Sequence, residues 1–362
     1  MRIFHFILDH RVGGPHAYVR GLARELAPSV ASTLVTTGRG DATELALTNL
    51  RHHFKLLYPL EVLLNVVHLC WLLRRRASRR NVLFDVHGAA NLAPILAARL
   101  LNIPLVWHFH ETLPGFATLV RFGKSVVAGI AHRYVVVAAR AIEVFDLPEA
   151  ILIPGGVDLD FWRLAEPVET EMPLRLLAVG NLNPLKGIDI LLDALDGLKG
   201  PWELVIVGAE LQTFAGYAAD LHQRSERIVR EDRRVEFVGW RSAKQVRELM
   251  ANTDIFVLPS RSEACPIALL EAMASGLACV ASDVGDVAAM LAAPVTGIVC
   301  RSGSTTALTE ALIHVSAIGR EARREMGARA RVQVEARYSQ RQMAVRHLEI
   351  YRTLVQEAKE PN

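Results

Sequence analysis

Short runs of apolar, β-prone residues alternate with amphipathic runs along the first half of the chain. Ile3–Leu8 predicts a strand, and Pro15–Leu26 predicts a helix because its apolar residues recur every three or four positions. Further strands are predicted at Thr33–Thr37, Leu83–Val86, Pro104–Phe109 and Tyr134–Ala138, and further helices at Leu56–Leu73 and Asn91–Leu101. This alternation is typical of parallel sheets with crossover helices.

The same alternation restarts in the second half. Strands are predicted at Leu174–Val179, Glu203–Val207, Val235–Phe237, Ile255–Leu258 and Ala278–Ser282, and helices at Gly187–Leu198, Ile267–Ala274 and Gln340–Lys359. Prolines and glycines interrupt the pattern around residues 160–173, where we place a linker. We therefore expect an α/β protein with domains at 1–165 and 166–340, and a C-terminal helix at 341–362 that packs back toward the first domain.

Two doubly wound domains that face each other place the carboxyl ends of both sheets around one cleft, where ligands bind. The chemistry is therefore expected on loops that directly follow strands. With 362 residues, 51% hydrophobic and 22% charged, the chain has the composition of a folded globular protein, which excludes global disorder. Its four cysteines form no Cys-x-x-Cys pair and indicate thiols in a reducing, cytoplasmic compartment.

The positive charge is concentrated in one segment. The chain carries a net charge of +3, but residues 51–80 hold seven Lys or Arg residues and one acid, a local charge of +6. The apolar run Leu56–Leu73 inside this segment is too short and interrupted to span a bilayer. It predicts either a buried helix with a solvated basic end or an interfacial helix on an anionic membrane. No secretion signal, transmembrane helix or nucleic-acid partner is expected.

The most informative stretch runs from Pro259 to Gly276. Glu263 lies on the loop before a predicted helix and Glu271 in its second turn, while the first N–H groups of that helix offer an anion site. Carboxylates accept hydrogen bonds from vicinal hydroxyls, so two of them around an anion site suit a sugar nucleotide. Two glutamates at this spacing also occur by chance in many helical proteins.

The context resembles the family-4 retaining glycosyltransferases, which have the GT-B fold of two Rossmann-like halves with the active site between them. Pro-Ser-x-x-Glu-x7-Glu-Ala-Met-Ala-Ser-Gly at 259–276 is similar to the donor-site signature of that family. Further stretches follow in the family's order: the Gly13-Gly14 loop, Asp85–Gly88, Phe109–Glu111, Ile153–Asp158, Val179–Gly187 and Val280–Gly285.

The resemblance implies roles for individual residues. Glu263 would contact the hydroxyls of the donor sugar near the reacting carbon, and Glu271 would hold the ribose hydroxyls. Lys186 would neutralise the diphosphate, and His110 would lie beside the donor sugar. The donor-binding set is completed by Gly13, Gly14, Asn181, Arg261, Ala264, Cys265, Pro266 and Ile267.

Some assignments stay open on the residues alone. A lysine on a glycine-bounded loop after a strand can stabilise charge on a departing phosphate, but it can equally be a solvated surface residue. His108 and His110 alternate on an extended chain, so both can point the same way. We assign His110 to the site and leave His108 as a supporting or structural residue. His87 is open between cleft lining and structural hydrogen bonding.

The sequence departs from the family at three positions. Asn181 occupies the place of an arginine that pairs with the lysine on the diphosphate, and Arg261 is the candidate substitute. Asp286 replaces the second glycine of a Val-Gly-Gly turn and would repel phosphate unless it points away. Gly155 replaces an asparagine.

The resemblance implies metal-independent transfer of a hexose-type sugar, with retention, from a nucleoside-diphosphate sugar. The acceptor would be a hydroxyl of a glycan or lipid-linked molecule in bacterial cell-envelope polysaccharide synthesis. The enzyme would be cytoplasmic, and the interfacial alternative for residues 51–80 would make it peripheral on the membrane. No cofactor or metal is expected. The alternatives are a catalytically weak partner subunit and a GT-B sugar-nucleotide epimerase. No Gly-x-Gly-x-x-Gly follows the first strand and no Walker loop is present, which argues against nicotinamide and P-loop enzymes.

Overall fold

The chain forms two structural units. The computed structural model describes residues 1–7, 14–37, 45–48, 58–74, 81–112, 114–164 and 173–359. Unit 1 comprises Met1–Gly156 and Gln340–Asn362, and unit 2 comprises Val157–Ser339. The chain thus leaves unit 1 after Gly156 and returns to it for its last helix.

Unit 1 is built on a parallel sheet of seven strands. Its elements are β1 (Arg2–Ile7), α1 (Gly14–Leu26), β2 (Ala31–Thr37), β3 (Leu45–Leu47), α2 (Tyr58–Arg74), β4 (Val82–His87), α3 (Leu92–Leu101), β5 (Leu105–Phe109), α4 (Ala117–Val127), β6 (His132–Val136), α5 (Arg140–Phe145) and β7 (Ile151–Leu152). The strand order is β3-β2-β1-β4-β5-β6-β7. Residues 82–87 and 105–109 are buried without alternation, as expected for parallel strands covered on both faces.

Unit 2 repeats the pattern with six parallel strands. Its elements are β8 (Leu174–Val179), α6 (Ile188–Leu195), β9 (Trp202–Val207), α7 (Ala215–Ile228), β10 (Arg233–Gly239), α8 (Ala243–Ala251), β11 (Ile255–Leu258), α9 (Ile267–Ala274), β12 (Ala278–Ser282), α10 (Val287–Leu291), β13 (Ile298–Cys300), α11 (Thr305–Ala317) and α12 (Gly319–Arg337). The strand order is β10-β9-β8-β11-β12-β13. The predicted α/β class with two Rossmann-like sheets is therefore confirmed.

The last helix, α13 (Gln340–Glu357), belongs to unit 1. The Tyr18 hydroxyl on α1 lies 3.1 Å from His347 Nε2 on α13, and Tyr351 and Leu354 are buried. These buried side chains give the helix one apolar face against unit 1. None of the helices in the described ranges is long and apolar enough to cross a membrane.

Each sheet has one point at which the strand order reverses. In unit 1 it lies between β1 and β4, and in unit 2 between β8 and β11. Ligands of doubly wound proteins bind outside the carboxyl ends of the strands at this position, because the two flanking loops diverge there. The loops after β8 and β11 therefore mark the ligand-binding edge of unit 2.

Candidate active site

The loops after β8 and β11 bring Lys186 and Glu263 together. Lys186 Nζ donates a hydrogen bond to Glu263 Oε1 at 2.6 Å, and the Ser260 hydroxyl donates to the same oxygen at 2.8 Å. The Glu263 side chain is only 11% exposed, and Ser260 is fully buried. A cation and a carboxylate thus lie side by side at the ligand-binding edge, with the carboxylate oriented by a buried hydroxyl.

Backbone packing holds these two loops close together. Gly187 has a φ of +64°, and a Cβ added there would lie 2.0 Å from the Pro259 carbonyl oxygen. Asn183 Oδ1 accepts from the Leu185 N–H at 3.0 Å and caps the turn that carries Lys186. In the sequence Pro-Leu-Lys-Gly, the capped turn therefore positions the lysine. The close approach to the Pro259 loop requires glycine at the last position, because any side chain there would collide with the Pro259 carbonyl.

A second glycine packs against the loop that carries Glu263. Gly285, after β12, has a φ of +53°, and a Cβ there would lie 2.5 Å from the Glu263 carbonyl oxygen and 2.6 Å from that of Ala264. Asp286 follows it and directly precedes α10. The packing on this loop therefore requires the first glycine of the Val-Gly-Gly turn, Gly285. Asp286, which stands in the place of the second glycine, has a φ of −98° that any residue can adopt.

Glu271 lies on α9, and burial raises its pKa to about 8. Within the described ranges no side chain donates a hydrogen bond to its carboxyl group. At neutral pH the protonated form dominates, and it can both donate and accept hydrogen bonds. A carboxyl group placed in this way can exchange its missing hydration for hydrogen bonds to ligand hydroxyls.

Arg261 is held by the loop after β8. Its guanidinium donates to both carboxylate oxygens of Asp189 at 2.7 Å and to the Pro184 carbonyl at 2.8 Å. The Tyr217 hydroxyl also donates to Asp189, at 2.7 Å. Burial opposes ionisation of Asp189, but the bonds from Arg261 and Tyr217 outweigh it and lower the pKa of that carboxyl. Arg261 therefore braces the two loops, and its substitute role on a diphosphate stays a prediction.

The remaining predicted donor residues have mixed positions. Asn181 Oδ1 accepts from the Ala209 N–H at 3.1 Å, which ties its loop to the end of β9. Ala264, Cys265 and Ile267 are partly exposed, whereas Pro266 is buried and precedes α9 as its cap. Gly14 begins α1 and is exposed, and Gly13 lies outside the described residues.

Unit 1 contains a buried network of histidines around one carboxylate. Asp85 Oδ2 accepts from His5 Nδ1 at 2.6 Å and from His87 Nε2 at 2.8 Å, and Asp85 Oδ1 accepts from His108 Nε2 at 2.6 Å. All four side chains are buried on β1, β4 and β5. Burial opposes ionisation of Asp85, but the histidines outweigh it and hold the pKa of Asp85 well below its usual range.

This network fixes the protons of His110. His87 uses Nε2 to donate to Asp85, so its Nδ1 is an acceptor, and His110 Nε2 lies 2.9 Å away as the donor. Burial lowers the pKa of His87 to about 4 and that of His110 well below its usual range. We therefore assign His110 as a neutral ring with its proton on Nε2, which leaves Nδ1 as an acceptor for a hydroxyl group.

Two sets of residues in this network have ligand atoms close enough for a metal ion: His87, His108 and His110, and His5, Asp85 and His87. Most of these nitrogen atoms already take part in the hydrogen bonds to Asp85 and His87. His108 Nδ1 is buried and has no partner within the described ranges. Among the described residues, the open positions of this network are therefore His108 Nδ1, which is buried, and His110 Nδ1, which can accept from a hydroxyl group.

Sequence reasoning proposed Lys186, Glu263 and His110 as site residues and assigned no role to His5 or Asp85. The sequence did contain a signal for these residues, because a carboxylate or imidazole in the middle of an apolar strand needs a hydrogen-bond partner when it is buried. The strand register brings the partners together, since His5 lies opposite Asp85 and His87 opposite His108 on neighbouring strands. That register cannot be read from the sequence alone.

Comparison with known proteins connects this geometry to a family. The model of the family "Glycosyl transferases group 1" matches residues 173–317. The amylovoran biosynthesis glycosyltransferase AmsK of Erwinia amylovora is 29% identical over 175 residues, which are 44% of this chain and 40% of that relative. The phosphatidyl-myo-inositol mannosyltransferase of Mycobacterium leprae is 27% identical over 294 residues, or 75% of this chain and 74% of that relative.

Solved structures extend the likeness to the whole chain. The crystal structure of Anabaena HepE in complex with UDP and glucose superposes with a TM-score of 0.82 at 19% identity, covering 98% of this chain and 100% of that one. A sucrose-phosphate synthase from Thermosynechococcus elongatus superposes with a TM-score of 0.82 at 18% identity and covers 98% of this chain and 99% of that one. Residues 173–317 therefore match the glycosyl transferases group 1 family, and the chain has the GT-B fold.

Proposed function

We propose that this protein is a retaining glycosyltransferase that moves a hexose-type sugar from a nucleoside-diphosphate sugar to a hydroxyl of a glycan or lipid-linked acceptor. The observation that carries the proposal is the pair of Lys186 and Glu263, 2.6 Å apart on the two loops that flank the reversal of strand order in unit 2. Glu271 adds a carboxyl group without a protein partner among the described residues. This combination offers a cation for phosphate and two carboxyl groups for hydroxyls.

Lys186 and Glu263 compensate each other's charge before a ligand binds. A diphosphate that arrives beside Lys186 competes for its ammonium group, and a sugar hydroxyl can then donate to the released Glu263 oxygen. Lys186 would stabilise the charge that grows on the departing diphosphate, so that positioning and electrostatics supply the catalysis. Retention would follow from attack on the same face as the leaving group, with that phosphate accepting the proton of the acceptor hydroxyl. No metal ion is required for these steps.

The donor class is a uridine- or guanosine-diphosphate hexose. The proposal is supported by the HepE structures, which hold UDP, glucose and UDP-glucose. The relatives include an amylovoran biosynthesis glycosyltransferase and a lipopolysaccharide 1,6-galactosyltransferase, which supports a cell-envelope glycan as the acceptor. His110, with Nδ1 available as an acceptor, would contact a hydroxyl of the donor sugar.

Transfer of radiolabelled hexose by the purified chain tests the activity. The assay compares UDP- and GDP-hexoses with lipid-linked and soluble glycan acceptors, and product anomers are assigned by NMR. Donor-dependent transfer with retention, unchanged by a chelator, is the expected result. An inverted product or a chelator-sensitive reaction would contradict the mechanism.

One observation favours a second candidate, a partner subunit that binds a nucleotide sugar but depends on another transferase. Asn181 leaves the donor edge without the family's arginine, and Arg261 is committed to Asp189. In that case the purified chain binds the donor without transfer. Asn181→Arg is expected to tighten binding of the nucleoside diphosphate under either function. If this variant gained transfer activity that the wild-type chain lacks, the result would favour the partner subunit, because the missing arginine would then account for the inactivity.

We also propose that α2 attaches the protein to an anionic membrane. The polarity of this helix is the reverse of that of a normal surface helix, because the polar Glu61 and Asn65 are 2% exposed while leucines face outward. The burial of Asn65 is compensated, since its side-chain amide accepts from the Thr48 N–H and donates to the Thr48 carbonyl, each at 2.9 Å. The outward stripe consists of Leu60, Leu63, Leu64, Val67 and Trp71, each 44–59% exposed.

The charge that follows α2 in the sequence supports a membrane as the occupant. Arg75, Arg76, Arg79 and Arg80 come directly after the helix, although their positions lie outside the described residues. An apolar stripe with adjoining arginines can enter the headgroup boundary while the guanidinium groups meet anionic lipid, at about 1 kcal/mol per residue. This arrangement would bring a lipid-linked acceptor to the enzyme.

Co-sedimentation tests the membrane proposal. We expect binding to phosphatidylglycerol vesicles, release at high salt, and little binding to pure phosphatidylcholine. Leu63→Gln with Val67→Gln, or Arg74, Arg75 and Arg76 changed to Ser, should abolish sedimentation, whereas Leu100→Gln on α3 serves as the matched exposed control. Equal recovery in the supernatant with and without anionic vesicles at low salt would refute the attachment and leave the transfer assay unaffected.

A further inference from the structure

Unit 1 contains a partly buried carboxyl group, that of Glu111, which the proposed mechanism does not use. Glu111 follows β5 by two residues and so lies at the carboxyl edge of its sheet. Its carboxyl group contacts the loop after β4, one of the two strands that flank the reversal of strand order in unit 1. Because doubly wound domains bind ligands at that edge, Glu111 lies where a ligand of unit 1 is expected.

The backbone fixes one oxygen of this carboxyl group and leaves the other without a side-chain partner. Glu111 Oε2 accepts from the Ala89 N–H at 3.3 Å and from the His110 N–H at 3.2 Å. Oε1 lies beside Gly88, where an added Cβ would be 3.3 Å from it. Within the described ranges no side chain donates a hydrogen bond to Glu111 or forms an ion pair with it. Oε1 is also accessible to solvent, so a ligand atom can reach it.

A structural role alone does not account for a carboxyl group at this place. Burial raises the pKa of Glu111, although backbone N–H groups, including those of Ala89 and His110, lower it. The amide oxygen of a glutamine could accept the same two hydrogen bonds without the desolvation penalty of a charge. What a carboxylate adds is a second acceptor oxygen, and a ligand hydroxyl that donates to it would offset part of that penalty.

Glu111 and its neighbour His110 face different surroundings. The centroid of the His110 ring lies 5.0 Å from that of the Tyr18 ring, and His110 Nε2 is 2.9 Å from His87 Nδ1. The Glu111 carboxyl group instead packs on the backbone of the loop after β4. The two residues therefore offer separate acceptor atoms. Because His110 is proposed to contact the donor sugar, Glu111 can serve a second molecule.

The amino end of α2 contacts the same loop. The hydroxyl of Tyr58, the first residue of α2, donates to the Ala90 carbonyl at 2.5 Å. Ala89, the preceding residue of that loop, donates its N–H to Glu111. The loop therefore joins Glu111 to the helix that is proposed to attach the protein to the membrane. A glycan whose lipid anchor lies along α2 can reach Glu111.

We propose that Glu111 binds a hydroxyl group of the acceptor glycan through Oε1. The inference rests on the proposed transferase function and extends it to the second substrate. Oε2 stays on the Ala89 and His110 N–H groups, so the acceptor meets a carboxylate of fixed orientation. Glu111 would thereby select acceptors that carry a hydroxyl at the matching ring position. Only a hydrogen bond forms at this residue, and no covalent bond changes there.

Binding of simple hexosides tests this assignment without requiring transfer. Octyl glucoside, galactoside and mannoside are titrated below their micelle concentrations into the full chain with saturating nucleoside diphosphate, and each Kd is measured by saturation-transfer NMR. Glu111→Gln keeps an oxygen for the two backbone N–H groups, and Glu143→Gln, at an exposed position on α5, is the matched control. Circular dichroism verifies that each variant is folded. The monodeoxy analogues of the hexoside that binds best are titrated in the same way.

We expect at least one hexoside to bind the wild type, and Glu111→Gln to weaken this binding about tenfold, the effect of one hydrogen bond to a carboxylate. Glu143→Gln should bind the hexoside normally, and both variants should keep their affinity for nucleoside diphosphate. One deoxy analogue should bind the wild type as weakly as its parent binds Glu111→Gln. It should lose nothing further in that variant, because both changes remove the same contact.

Failure of all three hexosides to bind the wild type, equal binding by Glu111→Gln, or additive losses with every deoxy analogue would overturn the assignment. Weaker binding of nucleoside diphosphate by Glu111→Gln would also overturn it, because Glu111 would then belong to the donor site. The transfer assay has a separate outcome. A chain that binds hexosides through Glu111 but transfers no sugar would keep Glu111 as a glycan-binding residue and refute the transferase function.

Discussion

Glu271→Gln should make the nucleotide-free protein more stable and the nucleotide complex weaker. Burial raises the pKa of the Glu271 carboxyl from its ordinary value of 4.5 to about 8. A raised carboxyl pKa contributes stability that is fully present below pH 4.5 and is lost as the pH rises toward 8, because the unfolded chain ionises first. At pH 7 this linkage lowers the free energy of unfolding by about 3 kcal/mol.

Glutamine has the same size and carries no charge, so the variant escapes this loss. Because part of the Glu271 side chain reaches solvent, we expect a gain of about 1–3 kcal/mol at pH 7, or roughly 2–4 °C in Tm for each kcal/mol in a unit of this size. Urea unfolding at several pH values between 4.5 and 8 measures the effect. Glu226→Gln, an exposed glutamate on α7, is the control and should leave the pH dependence of wild type unchanged.

The affinity should move in the opposite direction. The protonated carboxyl group can donate to and accept from the hydroxyls of a bound nucleotide, whereas glutamine replaces its O–H by an amide. Loss of one neutral hydrogen bond costs about 0.5–1.5 kcal/mol, or about 2–12-fold in affinity. Calorimetry with the nucleoside diphosphate measures this loss. A variant that is no more stable than wild type at pH 7 would refute the burial argument, and unchanged affinity would remove Glu271 from the nucleotide site.

Three further substitutions test the two units separately. Glu263→Gln should lower kcat more than donor affinity, by about 30–150-fold in steady-state kinetics, and near-normal turnover would exclude a catalytic role. Lys186→Ala should weaken binding of the free nucleoside diphosphate by about tenfold or more in calorimetry, since its contact is with phosphate, and unchanged affinity would contradict the assignment. Asp85→Asn should destabilise unit 1 by about 3–5 kcal/mol in urea unfolding, because three buried histidines lose a carboxylate. The stability supplied by the depressed pKa of Asp85 is present at neutral pH and lost on acidification, so the wild type should lose its advantage over the variant at low pH.

The placement of Lys186 and Glu263 in unit 2 was largely predictable from sequence. Both follow apolar strands, and the glycines around them mark loops, so the sequence alone places them at the carboxyl ends of a parallel sheet. Their direct contact at 2.6 Å depends on β8 and β11 being neighbours, which the sequence order of the strands does not reveal. The assignment of Arg261 depended on the same missing information, because the bonds to Asp189 join residues far apart in the chain.

By itself, the sequence determined the local structure and the chemistry at the strand ends, because side-chain periodicity and turn residues act over a few positions. It predicted the parallel α/β architecture, the helix at α9 and the loop residues that resemble a glycosyltransferase. Only the tertiary structure decided the protonation of the buried groups. The pKa of Glu271 and the tautomer of His110 depend on desolvation and on partners brought together by strand register.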